Sequence, residues 1–195
     1  MSADREIDLA GFADPVVDAQ RCFRAVLDSM ARPGSVHAAG VGLATPPPLD
    51  AATGAVLLTL VDGETPLWLA PRLRAAQAWI VFHCGAVCVE DPAMASFVTS
   101  DALPDLSELR AGSHEAPETA ATVIVQVRAL GAGRRYRLRG PGLRDDAVLS
   151  VDGLPAGFAA IWADNHAHFP RGVDLVLCAG SRLAALPRSV TVEEA

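Results

Sequence analysis

Arg171, Asp174 and Arg188 are the residues of this chain best suited to recognising charge. They flank and punctuate an apolar stretch in which residues 173–179 and 182–186 read as two strands, joined at the turn formers Gly180 and Ser181. A hairpin this apolar is buried on at least one face, and charges beside it need partners. A guanidinium pairs bidentately with a carboxylate, and equally with phosphate or phosphonate oxygens. The residue types therefore leave two outcomes open: a structural Arg–Asp pair, or an anion site at Arg171 and Arg188 with Asp174 beside it.

Acid–base residues are sparse elsewhere. Residues 112–119 place Ser113, His114, Glu118 and Thr119 in a polar loop before a β-branched run, and loops at strand ends often meet ligands and partners. His114 and Glu118 are contact candidates there, but no spacing ties Ser113 to a base, and the chain has no nucleophile elbow. His166 and His168 lie at the end of a predicted helix. Two positions apart they diverge, so they do not chelate one ion, and their place favours an interaction with the helix dipole. His168 adjoins the hairpin entrance and is a further contact candidate. His83-Cys84-x3-Cys88 is longer than the Cys-x2-Cys of structural zinc sites and no second pair follows, so a packed apolar segment is expected and no metal. Gly131-x-Gly133 and Gly140-x-Gly142 are too short for a dinucleotide fingerprint and read as turns. No catalytic residue emerges from these patterns.

The elements that would position these side chains follow from periodicity and breakers. Residues 1–13 look like a loose leader. Asp14-Pro15 starts a helix, with Val16, Phe23, Val26, Leu27 and Met30 as its apolar face and Arg32-Pro33-Gly34 as its end. Residues 35–39 suit a short strand, 40–48 a stiff proline loop, 51–61 a buried helix and 66–70 a strand. Residues 75–83 suit a helix, 95–99 a strand and 105–110 a helical turn. Residues 121–127 form a β-branched strand, 134–139 a half-exposed one, and 155–166 a helix with Phe158, Ile161 and Trp162 inward. The sum is one α/β domain over residues 1–195 with a mixed sheet.

Composition excludes several functions. The net charge of −7 and the lack of a basic stripe argue against nucleic acid or an anionic membrane as partner. Residues 1–8 carry no apolar signal core, and the longest nearly uncharged apolar run, 75–89, is too short to span a bilayer. A soluble cytoplasmic protein is expected, with Cys22, Cys84, Cys88 and Cys178 reduced. All sixteen basic residues other than histidine are arginine. With no lysine, the chain can form no Schiff base with pyridoxal phosphate and supplies no phosphate-loop lysine.

Four groups of residues carry a resemblance: Asp18-Ala19-Gln20-Arg21-Cys22-Phe23-Arg24 with Pro33-Gly34; Leu57-Leu58-Thr59-Leu60 with Asp62 and Thr65-Pro66-Leu67-Trp68-Leu69; Ala116-Pro117-Glu118 before the 121–127 strand; and Phe169-Pro170-x-Gly172-Val173-Asp174-Leu175 with Pro187-Arg188. In this order, from about Asp14 to Glu193, the chain resembles the PhnH subunit family of the bacterial carbon–phosphorus lyase complex. The resemblance implies a three-layer α/β/α fold, like a trimmed pyridoxal-phosphate-dependent transferase that works without the cofactor, and a homodimer. It implies three other core subunits (G, I and J) and ATP-handling auxiliaries as partners. The implied chemistry displaces adenine from ATP with an alkylphosphonate, giving ribose 1-methylphosphonate 5-triphosphate from methylphosphonate. Radical cleavage of the carbon–phosphorus bond is implied for subunit J, and this chain has no Cys-x3-Cys-x2-Cys run for an iron–sulfur cluster.

Within that resemblance two roles stand. One is a structural or assembly subunit without chemistry of its own. The other is a subunit that binds a nucleotide or phosphonate through Arg171 and Arg188, with His114, Glu118 or His168 in contact or acid–base roles. Outside it stands a third, a stand-alone small-molecule transferase.

Overall fold

The structure, a computed structural model, describes residues 9–195. Asp14 caps the first helix, α1 (Pro15–Ala31): its carboxylate accepts from the Val16 and Val17 amides at 3.2 and 3.1 Å. The chain continues through β1 (His37–Ala38), α2 (Ala51–Leu60), β2 (Leu67–Leu69), a 3-10 turn (Pro71–Ala76) and α3 (Gln77–Cys84). Next come β3 (Phe97–Ser100), β4 (Thr122–Gln126), β5 (Ala129–Arg139), β6 (Ala147–Asp152) and α4 (Phe158–Ala167). The last strands are β7 (Asp174–Ala179), β8 (Arg182–Leu186) and β9 (Thr191–Glu194), and short 3-10 turns at Leu106–Glu108 and Pro117–Thr119 precede β4.

A mixed six-stranded sheet runs β1-β8-β7-β4-β3-β2. Strands β2, β3, β4 and β7 are parallel, while β8 returns antiparallel in the expected hairpin, with Leu177 opposite Ala184. Side chains alternate across the pleat, so both faces need covering. Val123, Val125, Leu175 and Leu177 face a core shared with Phe158 and Trp162 of α4. Ile124, Val176 and Cys178 face the core made with α1, α2 and α3, including Val26, Leu57 and Trp79. Burial on both sides explains why these strands are continuously apolar rather than alternating. The fold is α/β, as expected.

Four expectations need correction. The sheet is not alone: β6, β5 and β9 form a second, antiparallel sheet that closes over the α4 side with Tyr136, Leu138, Leu149 and Val192. Gly131 and Gly133 are not a turn but lie inside β5. Val151 pairs with both Leu130 and Arg134, and the three residues between them bulge out. Residues 1–8 of the expected loose leader lie outside the described residues, but residue 9 is tied down, since the Leu9 carbonyl accepts from Trp79 Nε1 at 2.8 Å and His83 Nε2 at 3.0 Å.

The fourth correction concerns α1. Its buried side is Cys22, Ala25, Val26 and Ser29, whereas Val16, Phe23 and Leu27 are 80, 45 and 51% exposed. At about 100° per residue, positions 16, 23 and 27 fall within about 40° of one another, roughly a third of a turn from the centre of the buried set. Small residues let α1 approach the sheet and α2 closely, and the bulky stripe is left facing outward.

Candidate functional site

The hairpin places Asp174 at the start of β7 and Arg188 just past the end of β8. Because Leu175 pairs with Leu186, the two charges meet at the hairpin's open end. The Arg188 amide donates to Asp174 Oδ1 at 2.7 Å, and Nε donates to Oδ1 and Oδ2 at 3.1 and 3.2 Å, with Nη2 also on Oδ2. Arg188 Nη1 donates to the Pro117 carbonyl at 2.8 Å, so the pair also braces the turn entering β4. Both side chains are mostly buried. Arg188 is engaged on every side and is not a free cation.

Arg171 behaves differently. No carboxylate lies within 4.0 Å of it among the described residues, and its Nε is buried without an acceptor. The turn that carries it is firmly held. The Arg171 amide donates to the His168 carbonyl at 2.9 Å, and the Gly172 amide to the Ala111 carbonyl at 2.9 Å. Buried Asn165 then clamps Val173 on both sides, accepting from its amide at 2.9 Å and donating to its carbonyl at 3.0 Å. Arg171, His168 and Asp164 line a cavity of about 380 Å³ with Asp105, Ser107 and Ile161, beside the amino ends of β4 and β7.

The other sequence candidates lie apart from this cavity. His114 and Glu118 are exposed on the loop before β4, where Ser113 Oγ accepts from the Ala116 amide at 3.0 Å. His166 is fixed, with Nδ1 donating to the Arg188 carbonyl at 2.8 Å. The structure thus brings together Arg171 with His168, and Asp174 with Arg188, as two separate units.

Sequence reasoning missed two arrangements. Open α/β sheets often take ligands at the carboxyl ends of their parallel strands. A cavity of about 330 Å³ lies there, edged by Asp50, Arg72, Asp101, Gln126 and Arg128. Its charges are already paired: Arg72 with Asp101 at 3.0 Å, and Arg128 with Asp152 at 2.6 Å. Asp50 accepts from the Gly180 amide, and Gln126 bridges the Asp50 amide and Pro48 carbonyl. Residues this far apart in the chain left no local signal. The second is a Ser35–His37 contact at 2.9 Å. Ser35 donates its proton to the Arg32 carbonyl at 2.6 Å, so His37 can only donate to it and does not act as its base.

The four cysteines are free thiols. Burial pushes Cys84 up to about 12, with Cys88 adding to the shift, and raises Cys22 and Cys178 in the same direction. Among the described residues no group of three or more His, Cys, Asp or Glu side chains is placed to hold a metal ion. No helix among them is long and apolar enough to cross a membrane.

Fold and side chains together define, among the described residues, an α/β protein with braced loops and a cavity of mixed charge. Residues 10–193 match the family described as bacterial phosphonate metabolism protein (PhnH). The chain belongs to that family. It is 41% identical over 198 residues, 99% of each chain, to the alpha-D-ribose 1-methylphosphonate 5-triphosphate synthase subunit PhnH of Rhizobium meliloti (strain 1021). It is 36% identical over 177 residues, 89% of this chain and 85% of the relative, to the protein HtxG of Stutzerimonas stutzeri.

Proposed function

We propose that this chain is a cytoplasmic subunit of the carbon–phosphorus lyase system, needed to form ribose 1-methylphosphonate 5-triphosphate from ATP and methylphosphonate, and that its part is assembly. The reading rests on the near full-length similarity to a synthase subunit. One feature of the geometry carries the assembly role, the outward stripe of Val16, Phe23 and Leu27 on α1. An apolar face of this kind on a soluble domain marks a protein contact. Closed twofold pairing is the commonest way for such a face to bury itself, so the first occupant proposed is a second copy of the chain. Other core subunits of the same system meet further surfaces. In this role Arg188 and Asp174 brace the hairpin, and His114 and Glu118 are available for partner contact.

The resemblance to a trimmed, three-layer pyridoxal-phosphate-dependent transferase fold belongs to the same proposal. The residues do not fit that cofactor, because the chain has no lysine to hold it as a Schiff base.

Deleting the gene from a host with an otherwise intact pathway should abolish growth on methylphosphonate as sole phosphorus source, and restoring it in trans should rescue growth. Undiminished growth of the deletion strain would overturn the proposal.

A further inference from the structure

Arg171 stands beside a cavity with an unsatisfied donor and a fixed backbone. That donor, Nε, is itself enclosed by protein, so what the cavity meets is the positive charge of the guanidinium, which no carboxylate within 4.0 Å offsets among the described residues. The clamp of Asn165 on Val173 and the Gly172–Ala111 hydrogen bond hold the turn in place before any ligand arrives. At about 380 Å³ the cavity is of a size that accepts small molecules.

The lining narrows the ligand. The Arg171 guanidinium matches the oxygens of a phosphorus oxyanion, and His168, which also lines the cavity, can supply a ring N–H. Asp105 and Asp164 stand opposite in sign. The Asp105 carboxyl is held below its ordinary value by the Ser107 hydroxyl and amide, so it stays ionised. Two carboxylates repel a polyphosphate, but they welcome hydrogen-bond donors. We propose that the cavity binds a single phosphoryl or phosphonyl group carried on a small hydroxylated body, with Arg171 and His168 taking the oxyanion and Asp164 accepting from a hydroxyl. This rests on the cavity alone and goes beyond the assembly role.

Calorimetric titration of the full chain with ribose 5-phosphate, methylphosphonate, inorganic phosphate and ATP tests it. Saturable binding of ribose 5-phosphate, tighter than the other three, is expected. Arg171→Gln should weaken it about tenfold or more, as loss of a charge-assisted hydrogen bond does. Asp164→Asn, an exposed change, should narrow the preference for ribose 5-phosphate over inorganic phosphate. Amide shifts at Asp164, His168 and Gly172 in the unmutated protein would locate the ligand without relying on a variant. Absence of saturable binding by all four compounds would sink the proposal. So would unchanged affinity in Arg171→Gln, or ATP or methylphosphonate binding as tightly as the sugar phosphate. Co-purification of Arg171→Gln with partner subunits is expected to be unchanged, so the site and the assembly role fail or stand separately.

Discussion

Arg188 and Asp174 are joined through main chain and side chain at once. One carboxylate receives the Arg188 amide at 2.7 Å and the guanidinium edge, while the far side of that guanidinium reaches the Pro117 carbonyl. The hairpin base, the turn before β4 and the end of β8 therefore depend on one ion pair. Its side chains are only 13 and 21% exposed, so the pair is shielded well beyond an ordinary surface bridge.

Removing either partner should therefore expose a cost that surface pairs lack. Asp174→Ala leaves a mostly buried guanidinium without its counter-charge and is expected to lower unfolding stability by about 2–4 kcal/mol. Arg188→Lys keeps the charge but loses the fork, and should fall between Asp174→Ala and the unmutated chain. Urea unfolding measures both; a change within experimental error for Asp174→Ala would show that the pair contributes nothing net.

This pair was legible in the chain because hairpin pairing is local: two strands of matched length joined at Gly180-Ser181 must bring their ends together. The Asp14 cap and the β-branched run of β4 were legible for the same local reason. The strand β5 was not read to its full length, because its two glycines look like a turn until β6 is seen to run past the bulge. The outward stripe of α1 was misjudged because helical periodicity reports which residues share a face, not which face the fold covers. Small residues won the buried side through close approach. Arg171 and Arg188 were indistinguishable as residue types. Only their surroundings separate an engaged guanidinium from a free one.

The α1 stripe gives a prediction about association rather than folding. Phe23→Glu and Leu27→Glu change exposed positions, so each should shift thermal stability of the monomer by no more than about 0.5 kcal/mol. Both should abolish self-association in light scattering, since each large apolar side chain covered contributes about 1.5–3 kcal/mol. A species of unchanged mass in both variants would remove α1 from the interface.

The thiols predict a one-sided pH response. Burial holds Cys84 as a neutral thiol from its ordinary value of 9.0 up to about 12. A group whose folded value is raised supports the fold fully below its unfolded value, and that support is lost as pH rises through the folded value. Stability should thus decline from pH 9 towards about 12, and Cys84→Ala should flatten part of that decline. Iodoacetamide near neutral pH should leave Cys22, Cys84 and Cys178 unmodified in the native chain and label them in urea. Rapid native labelling of Cys178 would contradict its burial.

Asn165 offers the sharpest test of the turn that carries Arg171. Its amide replaces a missing strand neighbour for Val173, donating to one backbone group and accepting from the other, at a position 7% exposed. Asn165→Ala leaves both backbone groups unsatisfied and should cost about 2–4 kcal/mol. Asn165→Asp is nearly isosteric, yet an ionised carboxylate would face the Val173 carbonyl with no proton to give. Burial and that carbonyl both favour the protonated acid, which can donate, so the introduced carboxyl should titrate above its unfolded value of about 3.9. Its stability penalty relative to the unmutated chain should therefore be smallest below that value and grow as pH rises through the folded one. Urea midpoints of the two proteins compared across acid pH measure the gap. A gap that stays constant with pH would show that the Asn165 donor does not reach Val173.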